Sequence, residues 1–226
     1  MKGLINALAF GTIALVPSLV LSENAQAALI SGVTASSDMG SGFRTDIGNT
    51  INGVGLSSLS LTATHDATTP SNSWVSSLRT LIGNITFNLN STYSLSGFSF
   101  WNQNGGGPGS NGSTGIRNVS VQTSTDGINF IPLAGGSTQF SQVSGSENLP
   151  PEIFNFTPVD ASYVKFVVFS NWGDTRETGF AEVQFNGTQS VPEPSEVLDT
   201  LAFGAFGTGY LLKRRLKKHK SVNSIA

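Results

Sequence analysis

Apolar and polar residues alternate through the middle of the chain. In ITFNLN, Ile85, Phe87 and Leu89 share one face and the polar residues between them the other, the period of a half-buried strand. YSLSGFSFWN carries Tyr93, Leu95, Phe98 and Phe100, and its alternation changes phase at Gly97, which predicts a bulge or short turn. NVSVQTSTDGINFIPL sets Asp126-Gly127 between two such runs, a hairpin signal. YVKFVVFSN is apolar on both faces and predicts a buried central strand. FAEVQFNG, with Phe180, Val183 and Phe185, predicts the closing strand. Short strands separated by turn residues predict an all-β fold, a single antiparallel β-sandwich over residues 28–187.

The two ends break this pattern. Lys2, an apolar stretch from Leu4 to Leu21 interrupted by Pro17, and the small-x-small run Ala25-Gln26-Ala27 predict a signal peptide over residues 1–27, cut after Ala27 by signal peptidase. An uncleaved anchor is the alternative, and the promptness of the A-x-A site argues against it. Past the sandwich, residues 188–196 form a proline-rich hinge and 197–212 an apolar run. As a helix at ~1.5 Å per residue that run spans roughly 24 Å, a little short of the ~30 Å hydrocarbon core. The basic residues of 213–226 predict a cytoplasmic tail, which leaves the bulk of the chain outside.

Pro192, Glu193 and Pro194, then the apolar run, then Lys213, Arg214, Arg215, Lys217, Lys218 and Lys220 resemble, in that order, the PEP-CTERM sorting signal. The resemblance covers roughly Val191 to Lys220. It implies processing by an exosortase, transient anchoring in the inner membrane, and a Gram-negative or cyanobacterial producer that makes an exopolysaccharide. A permanent single-span anchor is the alternative.

Charge sharpens the picture. The formal net charge is -2, but the tail holds half of the Lys and Arg residues. Between Ala28 and Ser190 stand Arg44, Arg79, Arg117, Lys165 and Arg176 against ten carboxylates, about -5 by the same counting. Nucleic acid is thereby excluded as a partner, since phosphate binding needs a basic face. There is no cysteine, so the fold holds by its core, with a bound ion as a further support. His65 is the single histidine ahead of the tail, which excludes most histidine triads and multi-histidine metal centres. Neither G-x-S-x-G nor H-E-x-x-H occurs. Carboxylate pairs among Asp174, Glu177 and Glu182 are of a kind any acidic chain offers, so the sequence predicts no enzyme.

Several segments together resemble the discoidin, or coagulation-factor type C, domain, a galactose-binding-like jelly roll. They are ASS (35–37), NSWVS (72–76), FSFWN (98–102), VSVQTSTDGINF (119–130), and YVKFVVFSN with GFAEVQFNG between 163 and 187. The resemblance implies that Trp74 and Trp101 are core residues. It also implies a calcium ion tying an early loop to the last strand, held by the Asn49 carbonyl, Asn52, Ser57, the Ala181 carbonyl and Glu182. All are oxygen donors, as a hard cation requires. A carboxylate usual in the early loop is Asn52 here, leaving Glu182 as the charged ligand of the set; the alternative is that Glu182 pairs with a neighbour.

Sandwiches of this kind bind sugars with an aromatic face and with polar groups from loops. Trp172, in SNWGDTRETG beside Asp174, Arg176 and Glu177, is the candidate aromatic, with Asn102 and His65 as further polar contacts. Trp172 as a cap on the core, and His65 with Asp66 as an ordinary loop pair, remain open. GGGPGSNGSTG (105–115) is a flexible loop or part of a binding rim. The expected function is non-catalytic binding of extracellular polysaccharide by an exported, cell-surface protein; the alternative is a structural or adhesive matrix component.

Overall fold

A computed structural model describes residues 27–104, 111–144 and 148–190. The predicted signal peptide, sorting motif, apolar run and basic tail lie outside the described residues. Eight strands, all paired antiparallel, make up the described part: β1 (Ala28–Leu29), β2 (Thr34–Ser37), β3 (Trp74–Val75), β4 (Gly83–Asn102), β5 (Val119–Ser124), β6 (Ile131–Pro132), β7 (Glu152–Val168) and β8 (Gly179–Gln189). A short 3-10 turn, Ile47–Thr50, is N-capped by Asp46, whose side chain accepts from the Gly48 amide at 2.7 Å. Among the described residues no helix is long and apolar enough to cross a membrane.

The sandwich arises because β4 and β7 each serve two layers. The first part of β4, Gly83 to Asn88, pairs with β2 and with Tyr163–Val168 of β7, which in turn pairs with β5. The second part, Tyr93 to Asn102, pairs with β8 and with Glu152–Ala161 of β7. Between them the register shifts at Asn88/Tyr93, where Asn90 holds a left-handed φ of 65° and donates its amide to Asn88 Oδ1 at 2.8 Å. Asparagine tolerates that conformation better than other side chains, so this NLN segment can turn a corner inside a strand. The predicted irregularity at Gly97 is present as a register shift against both neighbours, and a Cβ there would meet the Phe154 carbonyl at 2.6 Å.

Phenylalanines from both layers meet in the middle. Phe87 of the first layer lies 5.3 Å from Phe185 of the second, and Phe98 of the second 5.6 Å from Phe166 of the first. Phe140, from the segment after β6, stacks on Phe100 at 4.0 Å and closes the core at one end. Trp74 and Trp101 are both buried. Trp74 donates its indole N–H to the Gly40 carbonyl and Trp101 to the Ala63 carbonyl, so neither buries an unpaired donor.

The expected hairpin is present between β5 and β6, with Asp126-Gly127 inside a seven-residue loop enclosed by the pair Thr123↔Ile131. Asp126 organises it by accepting from the Ile128 and Asn129 amides, and these bonds hold its carboxyl well below the usual range. The strand of YVKFVVFSN is central, between β4 and β5, but it is not buried on both faces. Val164, Phe166 and Val168 face the core, while Tyr163, Lys165 and Val167 are half-buried on the other side. There Lys165 places its ammonium 3.5 Å from the Phe130 ring centroid.

Candidate functional site

Strand directions bring one set of connections to one end of the sandwich. Gly83, Val168 and Val119 end their strands there in the first layer, and Asn102, Gly179 and Glu152 in the second. The loops 38–46, 76–82, 111–118, 137–144 and 169–178 therefore converge. They are laced together by backbone bonds: Ser76 N–H to Thr178, Arg117 N–H to Ser170, Phe140 N–H to Arg117, and Asp174 N–H to Ser113.

Trp172 sits in this convergence. It is half-buried; its indole N–H donates to the Phe140 carbonyl at 3.1 Å, its amide to the Gly115 carbonyl at 3.1 Å, and Arg117 lies over the ring at 4.7 Å. Asp174 turns inward: its Oδ1 accepts from the amides of Arg176 at 2.6 Å and Glu177 at 3.0 Å. Arg176 remains exposed. Asn102 is buried and spends its amide hydrogens on the Ile116 and Ser141 carbonyls, both at 2.8 Å. It pins the two segments that flank Trp172 and positions rather than presents polar groups.

His65 is buried beside Asn102. Both line a cavity of about 250 Å³, together with Trp101, Asn104, Ser141 and Glu152. The imidazole is anchored at Nδ1 by the Asp66 carbonyl at 2.7 Å, while Nε2 is buried without a partner and burial pushes its pKa down. His65 is thus a neutral wall residue and not merely one half of a surface pair with Asp66. The five predicted ligand residues divide: Trp172, Asp174 and Arg176 on one loop, Asn102 and His65 at the adjacent cavity. Sequence reading missed Arg117, 55 positions from the ring it covers, and Glu152, which accepts from the Ser141 amide and hydroxyl in the cavity wall.

The predicted calcium ligands lie on the outer face of β4 and β8. Glu182 pairs with Trp101 across the ladder, and the next pair is Asn102↔Phe180, so Ala181 is the extra residue of a bulge. The loop after the 3-10 turn folds over this face; Gly53 N–H donates to Glu182 Oε1 at 3.2 Å. Oε2 is buried with no partner, and burial pushes the carboxyl up to about 8. A buried carboxylate oxygen aimed at no donor fits a cation site. The other members fit less closely. Asn52 Oδ1 accepts from the Val54 amide, and the Ser57 hydroxyl oxygen from the Thr64 amide and hydroxyl. Asn49, whose predicted donor is its carbonyl, is fixed by its side-chain amide, which donates to the Pro70 and Ser73 carbonyls. Among the described residues no three His, Cys, Asp or Glu side chains gather to hold a metal.

This two-layer architecture has a known counterpart in sequence: the F5/8 type C domain model matches residues 33–183. The chain belongs to that family. No curated protein matches this F5/8 type C chain in sequence. Among solved structures it is similar to the family 32 carbohydrate-binding module of Clostridium perfringens NanJ, in complex with galactose, with a TM-score of 0.50 at 16% identity over 71% of this chain and 99% of that one. A module called CBM32-1, from a family 31 glycoside hydrolase of the same organism, gives 0.49 at 14% over 70% and 95%. Clostridium perfringens CpGH89, in complex with GlcNAc-alpha-1,4-galactose, gives 0.49 at 20%; it covers 73% of this chain, which spans 15% of that protein's length. The NanJ likeness concerns the fold.

Proposed function

We propose that this F5/8 type C domain is a non-catalytic glycan-binding module of an exported surface protein. The observation that carries the reading is the convergence of loops at one end of the sandwich, where Trp172 is bonded to Phe140, next in sequence to Ser141 of a 250 Å³ cavity that sets His65, Asn102, Asn104 and Glu152 among apolar side chains such as Phe100, Trp101 and Leu149. Its fold relative in NanJ is in complex with galactose, which supports the same class of ligand here. Trp172 would offer an aromatic edge and Arg176 a charged donor, with Asn102 holding the loops in register and His65 bounding the cavity.

The test is retention of the full-length protein on a glycan panel that includes galactose- and GalNAc-terminated chains and the producer's own exopolysaccharide, with and without calcium. Trp172→Ala is expected to lose at least tenfold in retention, because ring contact and loop anchoring go together. Trp172→Phe, which keeps a ring but cannot donate to Phe140, should retain part of it. Failure of the wild type to bind any glycan in either condition would favour a structural matrix role. Release of reducing ends would point to hydrolysis.

Calcium belongs to the same reading. Glu182, with the carbonyls of Asn49 and Ala181 and with Asn52 and Ser57 after a local turn of their side chains, would hold it. When bound, the ion supplies a charge that ties the loop over β4 and β8 to the last strand.

The sorting reading rests on Pro192, Glu193 and Pro194 and on the apolar and basic segments that follow, with signal peptidase and an exosortase-type enzyme as processing partners. The intact mass of the mature surface protein is expected to lack residues 213–226. A mass that retains them would reject removal of the tail.

A further inference from the structure

The cations of the domain are not spread over it. Of the five between Ala28 and Ser190, four (Arg44, Arg79, Arg117 and Arg176) stand on the converging loops, and all four are exposed. Those loops touch: Arg79 N–H donates to the Arg176 carbonyl, the Ser77 hydroxyl to the Ser41 carbonyl, and Arg117 N–H to Ser170 beside Trp172. The fifth, Lys165, lies on β7 over the Phe130 ring.

Carboxylates share these loops, and Asp38 and Asp46 are exposed as the arginines are, but three of the four accept hydrogen bonds from within the fold. Asp38 accepts from the amide and the side chain of Asn84, both at 2.7 Å; Asp46 from Gly48; Asp174 from the Arg176 and Glu177 amides. Glu177 is half-buried against Gly42. Among the described residues none of the four guanidinium groups is paired with a carboxylate; Arg44 lies over Phe43 at 4.9 Å and Arg117 over Trp172 at 4.7 Å. Asp38, Asp46 and Asp174 are thus engaged within the fold, while the exposed guanidinium groups are left without a carboxylate.

Two of these arginines occupy backbone positions suited to glycine. Arg44 has φ 62° and Arg79 φ 68°, in the left-handed region where a side chain costs of order 1 kcal/mol or more. Among the described residues neither guanidinium has a carboxylate partner to offset that cost, and Arg44 meets only the ring of its neighbour Phe43. Strain held at an exposed charged residue points to a contact made outside the chain.

We propose, resting on the glycan reading above, that the ligand is an acidic polysaccharide, one whose pyranose rings carry carboxylate or sulfate groups. Guanidinium groups bind such anions in a paired, planar geometry, and aromatic edges beside them accept the apolar face of the ring. Phe43 is 80% exposed but carries Arg44 on its face, and Trp172 carries Arg117. These aromatics present a cation with an apolar edge, which suits a charged sugar better than insertion into hydrocarbon.

Full-length wild type and the variants Arg79→Gly and Arg79→Gly/Arg176→Ala are tested on three probes: polygalacturonate, the same polymer with its carboxyl groups reduced to alcohols, and vesicles of phosphatidylcholine with phosphatidylserine. Wild type is expected to bind polygalacturonate at least tenfold more tightly than the reduced polymer, with affinity falling as salt rises. The double variant loses at least tenfold, while Arg79→Gly leaves the melting temperature unchanged or higher because the backbone strain is relieved. Equal binding of both polymers, unchanged in the double variant, would overturn the acidic ligand and leave the glycan reading intact. Binding of vesicles and of neither polymer would overturn it in favour of a lipid surface. If no probe binds, the acidic ligand falls, and retention on the neutral panel decides the glycan reading separately.

Discussion

Phe166→Ala is expected to cost about 3–5 kcal/mol of folding free energy, the usual toll of deleting a large buried aromatic. Phe166 is fully buried, and its ring lies 5.1 Å from Phe87, 5.6 Å from Phe98, 6.1 Å from Phe100 and 5.5 Å from Phe140. It therefore touches its own layer, the opposite layer and the segment that closes the core. Against a total of about 5–15 kcal/mol for a domain, that is a large fraction. The melting temperature should fall by roughly 6–20 °C at about 2–4 °C per kcal/mol. Urea unfolding checks it: the midpoint drops while the slope is unchanged. Phe169→Ala, three residues on and 58% exposed, should stay within about 0.5 kcal/mol. A loss below 1 kcal/mol at Phe166 would mean that the two layers do not pack around this ring.

The alternation that places Phe166 inward was legible because every strand of a sandwich is half-wet, and period-two patterns report which half. Corners were not. ITFNLN and YSLSGFSFWN read as separate strands, yet they form the single β4, bent at Asn90 between layers. A turn within a strand keeps the same residue types as a turn between strands. Trp101 shows another limit: it points away from the phenylalanine core and is still buried, because the loop carrying Ala63 covers it. Periodicity tells which face a residue takes and nothing of what a distant loop lays on that face.

The candidate sites divide in the same way. Trp172 was legible as a lone aromatic among loop residues, and Glu182 through the resemblance to the discoidin domain, which implies a carboxylate on the last strand. Their surroundings come from elsewhere in the chain: Arg117 on the ring, Phe140 beneath the indole, Gly53 on the carboxylate. Asn102 read as a possible contact because amides often bind hydroxyls; its commitment to two carbonyls depends on loops it cannot be seen to meet in sequence.

Chelation is expected to lower the melting temperature of the wild-type protein and to leave Glu182→Gln unmoved. An ion that binds only the folded chain adds about 2.7 kcal/mol at a hundredfold excess over its Kd, or roughly 5–11 °C for a domain of this size. The glutamine keeps an oxygen for the Gly53 N–H and the volume of the side chain, but it supplies no charge to a cation. An equal response in both proteins would place the ion elsewhere, and no response in either would remove it. The pH dependence separates the roles further. Burial pushes the Glu182 carboxyl up to about 8 from an ordinary 4.5, so the chelated fold holds a proton that the unfolded chain releases. The stability this contributes is full below about pH 4.5 and is lost as pH rises toward 8. Chelated wild type should therefore weaken between pH 5 and 8 relative to Glu182→Gln. With calcium in excess the slope flattens, because the ion displaces that proton and leaves the carboxylate ionised in the folded chain as it is in the unfolded one. A simple buried acid would keep the falling slope with or without calcium.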